Sequence, residues 1–137
     1  SVFKYDKSCA SFLVYEGEVY PLGEWFGGYG VASMALADLN KDGMQELYFT
    51  YSFGSGLHRS HVACFDPAIK HVVPVDYMHI NKDMIVSVSE TGGLSLYEAA
   101  FPSMDSFVEY TMEGAGHLAD IVYEDGRLSV RPVKQEQ

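Results

Sequence analysis

Asp38, Asn40 and Asp42 stand at alternate positions of a nine-residue stretch that continues through Gly43 and Met44 to Glu46. A hard cation such as calcium takes six to eight oxygens, and a tight turn aims alternate side chains inward, so this spacing is that of a cation-binding loop. Gly43 permits the turn. Counted from Asp38, the twelfth position, where an EF-hand places its bidentate acid, is Phe49, and the flanks read as strands, which excludes a complete EF-hand. The acid comes at the ninth position, Glu46. Without a cation the same residue types form ordinary polar turns. Three acids within nine residues repel one another in an already acidic chain, and that repulsion favours the cation-binding reading.

Strands must hold the ends of such a loop, and the dominant hydropathy period of the chain is two. Over 46–53 the odd positions are Leu47, Phe49, Tyr51 and Phe53 and the even ones Glu46, Tyr48, Thr50 and Ser52, as expected of a strand with one face in a core. Residues 12–15 and 18–22 flank Gly17 as a hairpin, and 119–123 and 127–133 flank Asp125-Gly126, a dipeptide that accepts the positive φ angles of a type I′ turn. Further strands fit 31–37, 61–65, 71–75, 84–89 and 94–99, separated by turn clusters such as Asp66-Pro67, Asn81-Lys82-Asp83 and Thr91-Gly92-Gly93. A capping Ser103 or Asp105 with Phe107, Tyr110 and Thr111 gives one short helix over 103–112. No linker divides the chain. The expected fold is a mainly β single domain over 1–137, an antiparallel meander or sandwich built from hairpins, with 134–137 as a frayed tail.

The stretch Phe26-Gly27-Gly28-Tyr29-Gly30-Val31-Ala32-Ser33, then Ala37 to Gly43 and Glu46-Leu47, resembles the FG-GAP/VCBS-type calcium-binding repeat of integrin-like β-propellers. The resemblance implies Asp38, Asn40, Asp42 and Glu46 as side-chain ligands and Met44 as a ligand through its backbone carbonyl, with water completing the sphere. Glu46 stands where the family usually has Asp and reaches one carbon further. The likeness covers residues 25–56, and the loop occurs once. At roughly 40 residues per blade and at least four blades, 137 residues cannot close a propeller, so the resemblance carries the loop and not the whole fold.

Composition bounds the partners. A chain of 137 residues buries roughly two-thirds of its unfolded surface, enough for a core without obligatory staples. Nine Lys and Arg against nineteen Asp and Glu leave a net charge of −10, the wrong sign for a nucleic-acid backbone or an anionic bilayer. The longest apolar run, 31–37, is interrupted by Ser33 and far shorter than the ~20 residues of a membrane span. The chain opens on Ser1 with no basic and apolar leader before it, the pattern left by a removed signal or by trimming, and an extracytoplasmic location is the expectation. Cys9 and Cys64 are either one bridge, contributing about 4 kcal/mol in the chain-entropy account, or two buried thiols.

Other constellations are weaker. His61 and Cys64 fall on opposite faces of an extended chain, which argues against a zinc cluster with His58. No nucleophile elbow, Cys-His signature or phosphate-binding glycine loop is present. Trp25, Phe26 and Tyr29 among glycines offer a stacking platform for a sugar or a protein. The expected function is therefore that of a non-catalytic secreted or cell-surface module, with a structural calcium loop, presenting a surface to a protein or glycan. The alternative is a small extracytoplasmic hydrolase-type enzyme or inhibitor whose site assembles only in the fold.

Overall fold

The computed structural model describes residues 1–4, 10–23, 30–53, 59–80, 83–98 and 116–133. These carry eleven strands: β1 (Val2–Lys4), β2 (Ser11–Tyr15), β3 (Glu18–Pro21), β4 (Gly30–Ala37), β5 (Glu46–Phe53), β6 (Arg59–Asp66), β7 (His71–Ile80), β8 (Met84–Val88), β9 (Leu94–Glu98), β10 (His117–Glu124) and β11 (Arg127–Pro132). No helix occurs among the described residues. The helix expected over 103–112, Cys9, the Trp25 platform and the tail at 134–137 all lie outside them.

Three antiparallel sheets form, in the orders β1-β2-β3, β4-β5-β6-β7 and β11-β10-β9-β8, and none closes into a barrel or propeller. Both expected hairpin turns use left-handed backbone, at Glu16 and Gly17 (φ 49° and 79°) and at Asp125 and Gly126 (φ 53° and 78°), as a type I′ turn demands. The strand expected over 71–75 runs on to Ile80. Its register jumps from Val62 against Val75 to His61 against Met78, a bulge that absorbs Asp76 and Tyr77. Pro74 is tolerated because β7 ends its sheet.

The four-stranded sheet β4–β7 lies between the other two and has a core on each face. On one face Ala37, Tyr48, Val62, Cys64 and Val75 pack against Met84, Val86, Leu94, Leu96 and Ile121 of the β8–β11 sheet. On the other, Val31, Phe49, Ala63 and Phe65 pack with Leu13 of β2 and Leu22 just beyond β3. The reading of 46–53 as a strand with one face in a core is thus corrected: Tyr48, Thr50 and Ser52 are as deeply buried as Phe49.

Polar residues share the Tyr48 face of the central sheet because β8 needs them. Met84 and Val86 direct backbone groups at the central sheet, where hydroxyls take the place of a neighbouring strand. Thr50 Oγ1 donates to the Met84 carbonyl at 2.8 Å, Ser60 Oγ accepts the Met84 N–H at 3.1 Å, and Ser33 Oγ accepts the Val86 N–H at 2.9 Å.

Candidate metal centre

Residues 38–45 connect β4 to β5, and the pair Ala37–Glu46 closes the ladder at the base of this loop. Leu36–Leu47 and Ala35–Tyr48 extend the ladder below it, so both ends of the loop are anchored in the middle layer of the protein. Within the loop the backbone turns left-handed at Lys41 (φ 58°) and Gly43 (φ 90°), which is the conformation that Gly43 adopts without a Cβ penalty. Asp38 gathers two amides, accepting the Asp42 N–H on Oδ1 at 3.2 Å and the Gly43 N–H on Oδ2 at 3.0 Å. Asp42 Oδ1 accepts the Met44 N–H at 2.8 Å, and Asn40 bonds both the amide and the carboxylate of Asp42 at 3.3 Å.

Glu46 supplies what a plain turn does not need. One carboxylate oxygen from each of Asp38, Asp42 and Glu46 lies within 4.8 Å of the others. Glu46 is only 3% exposed, and neither of its oxygens has a hydrogen-bond partner on another residue. Among the described residues no lysine, arginine or histidine pairs with any of the three acids. A buried, unpaired carboxylate costs several kcal/mol relative to water, and each acidic neighbour adds repulsion of roughly 1–3 kcal/mol at this separation, depending on how far water screens it.

The surroundings register that charge. Burial pushes the Glu46 carboxyl above the usual carboxylate range; its own backbone N–H opposes the rise, and the charges of Asp42, Asp38 and Asp66 add to it. Two residues deeper on the same face of the sheet, Tyr48 and Cys64 form a cross-strand pair. The Cys64 thiol is pushed up to about 12, chiefly by burial and then by the charges of Glu46 and Asp66, with the hydrogen bond to Tyr48 pulling the other way. Tyr48 is raised for the same first reason, its burial, and then by Cys64 and Glu46. Cys64 is a free thiol.

The donor set fits a hard divalent cation. Calcium binds oxygens at 2.3–2.6 Å, so ligands on opposite sides of one ion stand roughly 4.6–5.2 Å apart, and the three carboxylate oxygens fall within that span. Asp38, Asp42 and Glu46 would hold such an ion, which would supply the positive charge that Glu46 lacks. Asn40, the fourth side chain of the expected set, sits beside Asp42, bonded to it through both ends of its amide. Met44 contributes its amide to Asp42, while its side chain turns into an apolar groove.

The remaining chemistry-bearing residues are dispersed. His61 stacks on Tyr51, ring centroids 5.5 Å apart, whereas Cys64 belongs to the core on the other face of β6. His71 opens β7 opposite Asp66. His117 and Ser95 both bond Asp120 Oδ1, at 2.8 and 2.7 Å, which places the acid between them and leaves the hydroxyl without a basic imidazole. Asp83, part of an expected turn cluster, is fully buried at the start of the β8 region, a burial that no local pattern announces. No helix of the described residues is long and apolar enough to cross a membrane.

Compared with known proteins, the chain matches no protein-family model, no curated protein and no solved structure.

Proposed function

We propose that residues 38–46 are a structural calcium site of the FG-GAP/VCBS type, held between β4 and β5 of a non-catalytic extracytoplasmic module that presents a surface to a protein or glycan. The single observation that carries the metal reading is Glu46: a carboxylate 3% exposed, unpartnered, and directed at two further acids. Removing a charge from water without a counter-charge opposes folding, and a divalent cation among these oxygens converts that cost into binding energy. Its place argues for a structural role, because an ion there joins the two strands at one end of the central sheet, the layer that both cores share. The strand–loop–strand arrangement around 38–46 accords with the repeat family, although only one loop of that type is present in the chain.

A thermal melt in calcium, magnesium and chelator tests this reading. At free calcium about 100-fold above Kd, linkage adds about 2.7 kcal/mol, a rise in Tm on the order of 10 °C for a domain of this size. Magnesium, which demands a tighter octahedron and dehydrates reluctantly, is expected to give a smaller rise. Equal Tm values in calcium and chelator would reduce the loop to a plain turn.

A further inference from the structure

We infer that the 38–46 site takes a trivalent cation of calcium's size, a lanthanide, in preference to calcium itself, and that Tyr48 stands close enough to pass absorbed light to it. This preference rests on the proposed metal site and names the class of ion that its charge fits best. Asp38, Asp42 and Glu46 bring three carboxylates to oxygens within 4.8 Å of one another. A divalent ion among them leaves one negative charge over. A trivalent ion leaves none.

Nothing nearby offsets that surplus charge in another way. Among the described residues no basic side chain pairs with the three acids. Lys41, the lysine of the loop, is exposed, so water and salt screen its ammonium. Glu46 is the opposite case: it is 3% exposed, has no hydrogen-bond partner on another residue, and feels the further negative charge of Asp66. A carboxylate held in that way is screened least and cannot swing out into water.

Lanthanide ions share calcium's radius, its preference for hard oxygen ligands and its loose coordination geometry, and differ chiefly by one unit of charge. All three carboxylates attract that unit at once, and the reduced dielectric around Glu46 strengthens the attraction. The more tightly held water of a trivalent ion opposes the exchange. Three carboxylates do not complete the sphere of so large an ion, however, so part of that water stays bound to it.

Tyr48 makes the ion visible. It follows Glu46 by two residues on the same face of β5, about 7 Å along the strand, and is buried. Tyr15, Tyr20 and Tyr51 belong to the core on the other face of the central sheet. Tyr77 shares the Tyr48 face but lies two strands away, past the β7 bulge. Energy transfer from a phenol ring to a lanthanide falls steeply with distance, which singles out Tyr48 among the described tyrosines.

The test adds terbium(III) alone to the full chain, excites tyrosine and records terbium emission, with calcium then added as competitor. About one equivalent of terbium is expected to saturate the emission, and calcium is expected to displace it only at roughly 100-fold excess or more. Glu46→Gln keeps the side chain's shape and removes one charge, so it is expected to lower that excess about 10-fold. Tyr48→Phe is expected to retain the terbium-dependent rise in Tm and to lose most of the emission. Displacement by equimolar calcium, or an excess unchanged in Glu46→Gln, would overturn the preference. Saturation only after several equivalents would show an adventitious ion on an acidic surface and would overturn it too. Emission unchanged in Tyr48→Phe would overturn the placement of the ion beside that ring. Melts in calcium on the same samples separate the two readings: a calcium-dependent rise in Tm with equimolar displacement of terbium defeats the preference alone, and saturable terbium emission without a calcium-dependent rise defeats the calcium reading alone.

Discussion

Asp38→Ala and Asp42→Ala are each expected to abolish the calcium-dependent rise in Tm, while Glu90→Ala, at an exposed acid remote from the loop in sequence, is expected to leave it intact. Each aspartate does two things. It offers an oxygen toward the cluster, and it ties the loop backbone, Asp38 through the amides of Asp42 and Gly43 and Asp42 through the amide of Met44. In chelator the alanine variants lose about 1 kcal/mol of amide hydrogen bonding but shed a comparable repulsion from the neighbouring acids, so their chelated stability changes little. The decisive quantity is the difference between calcium and chelator for each variant. That difference is expected to fall from about 2.7 kcal/mol to nearly zero under the same calcium excess. A retained difference in both aspartate variants would place any calcium elsewhere.

Glu46→Met is expected to change stability in opposite directions in the two media. In chelator the wild-type carboxylate is buried without a partner beside two other acids, and an apolar side chain of similar length removes that penalty. A carboxyl whose folded-state pKa is raised opposes folding at every pH above its unfolded value, so the gain is present at neutral pH. We expect the chelated variant to be about 1–3 kcal/mol more stable than chelated wild type. In calcium the order reverses or the two converge, because the variant gains nothing from the ion. Paired urea titrations with and without calcium measure both effects. A chelated Glu46→Met less stable than chelated wild type would show that the carboxylate already has a stabilising partner, and the metal reading would lose its principal support.

Much of the scaffold was legible because its signals are local. The 46–53 strand is bounded where its alternation begins and ends, and the hairpins at Gly17 and at Asp125-Gly126 follow from residues that accept positive φ. The loop was legible for the same reason, since alternate oxygens followed by Gly43 form a local pattern. The layering was not. Thr50, Ser52 and Ser60 look like solvent-facing residues until Met84 and Val86, brought in from far along the chain, present backbone groups that their face must satisfy. A polar residue satisfying a distant backbone is indistinguishable in sequence from one facing water.

Glu46 illustrates the same limit within the site. Its ninth position in the loop is a matter of counting, but its burial depends on Tyr48 and Cys64 packing below it and on the loop curling over the same face. The bulge at Asp76 and Tyr77 depends on the partner strand, and the groove depends on β4, β8 and the first sheet meeting. Met34, Leu36 and Val88 are ordinary apolar strand residues in sequence. It is the meeting of β4, β8 and the first sheet at one groove that gathers them at a surface.

The central claim, one cation held by Asp38, Asp42 and Glu46, is tested most directly by a crystal structure of the protein grown in calcium, with anomalous scattering recorded to identify the ion. The account predicts one calcium with an oxygen from each of the three carboxylates at about 2.3–2.6 Å. A loop without anomalous density, with the Glu46 carboxylate hydrogen-bonded to water or turned away from Asp38 and Asp42, would contradict it.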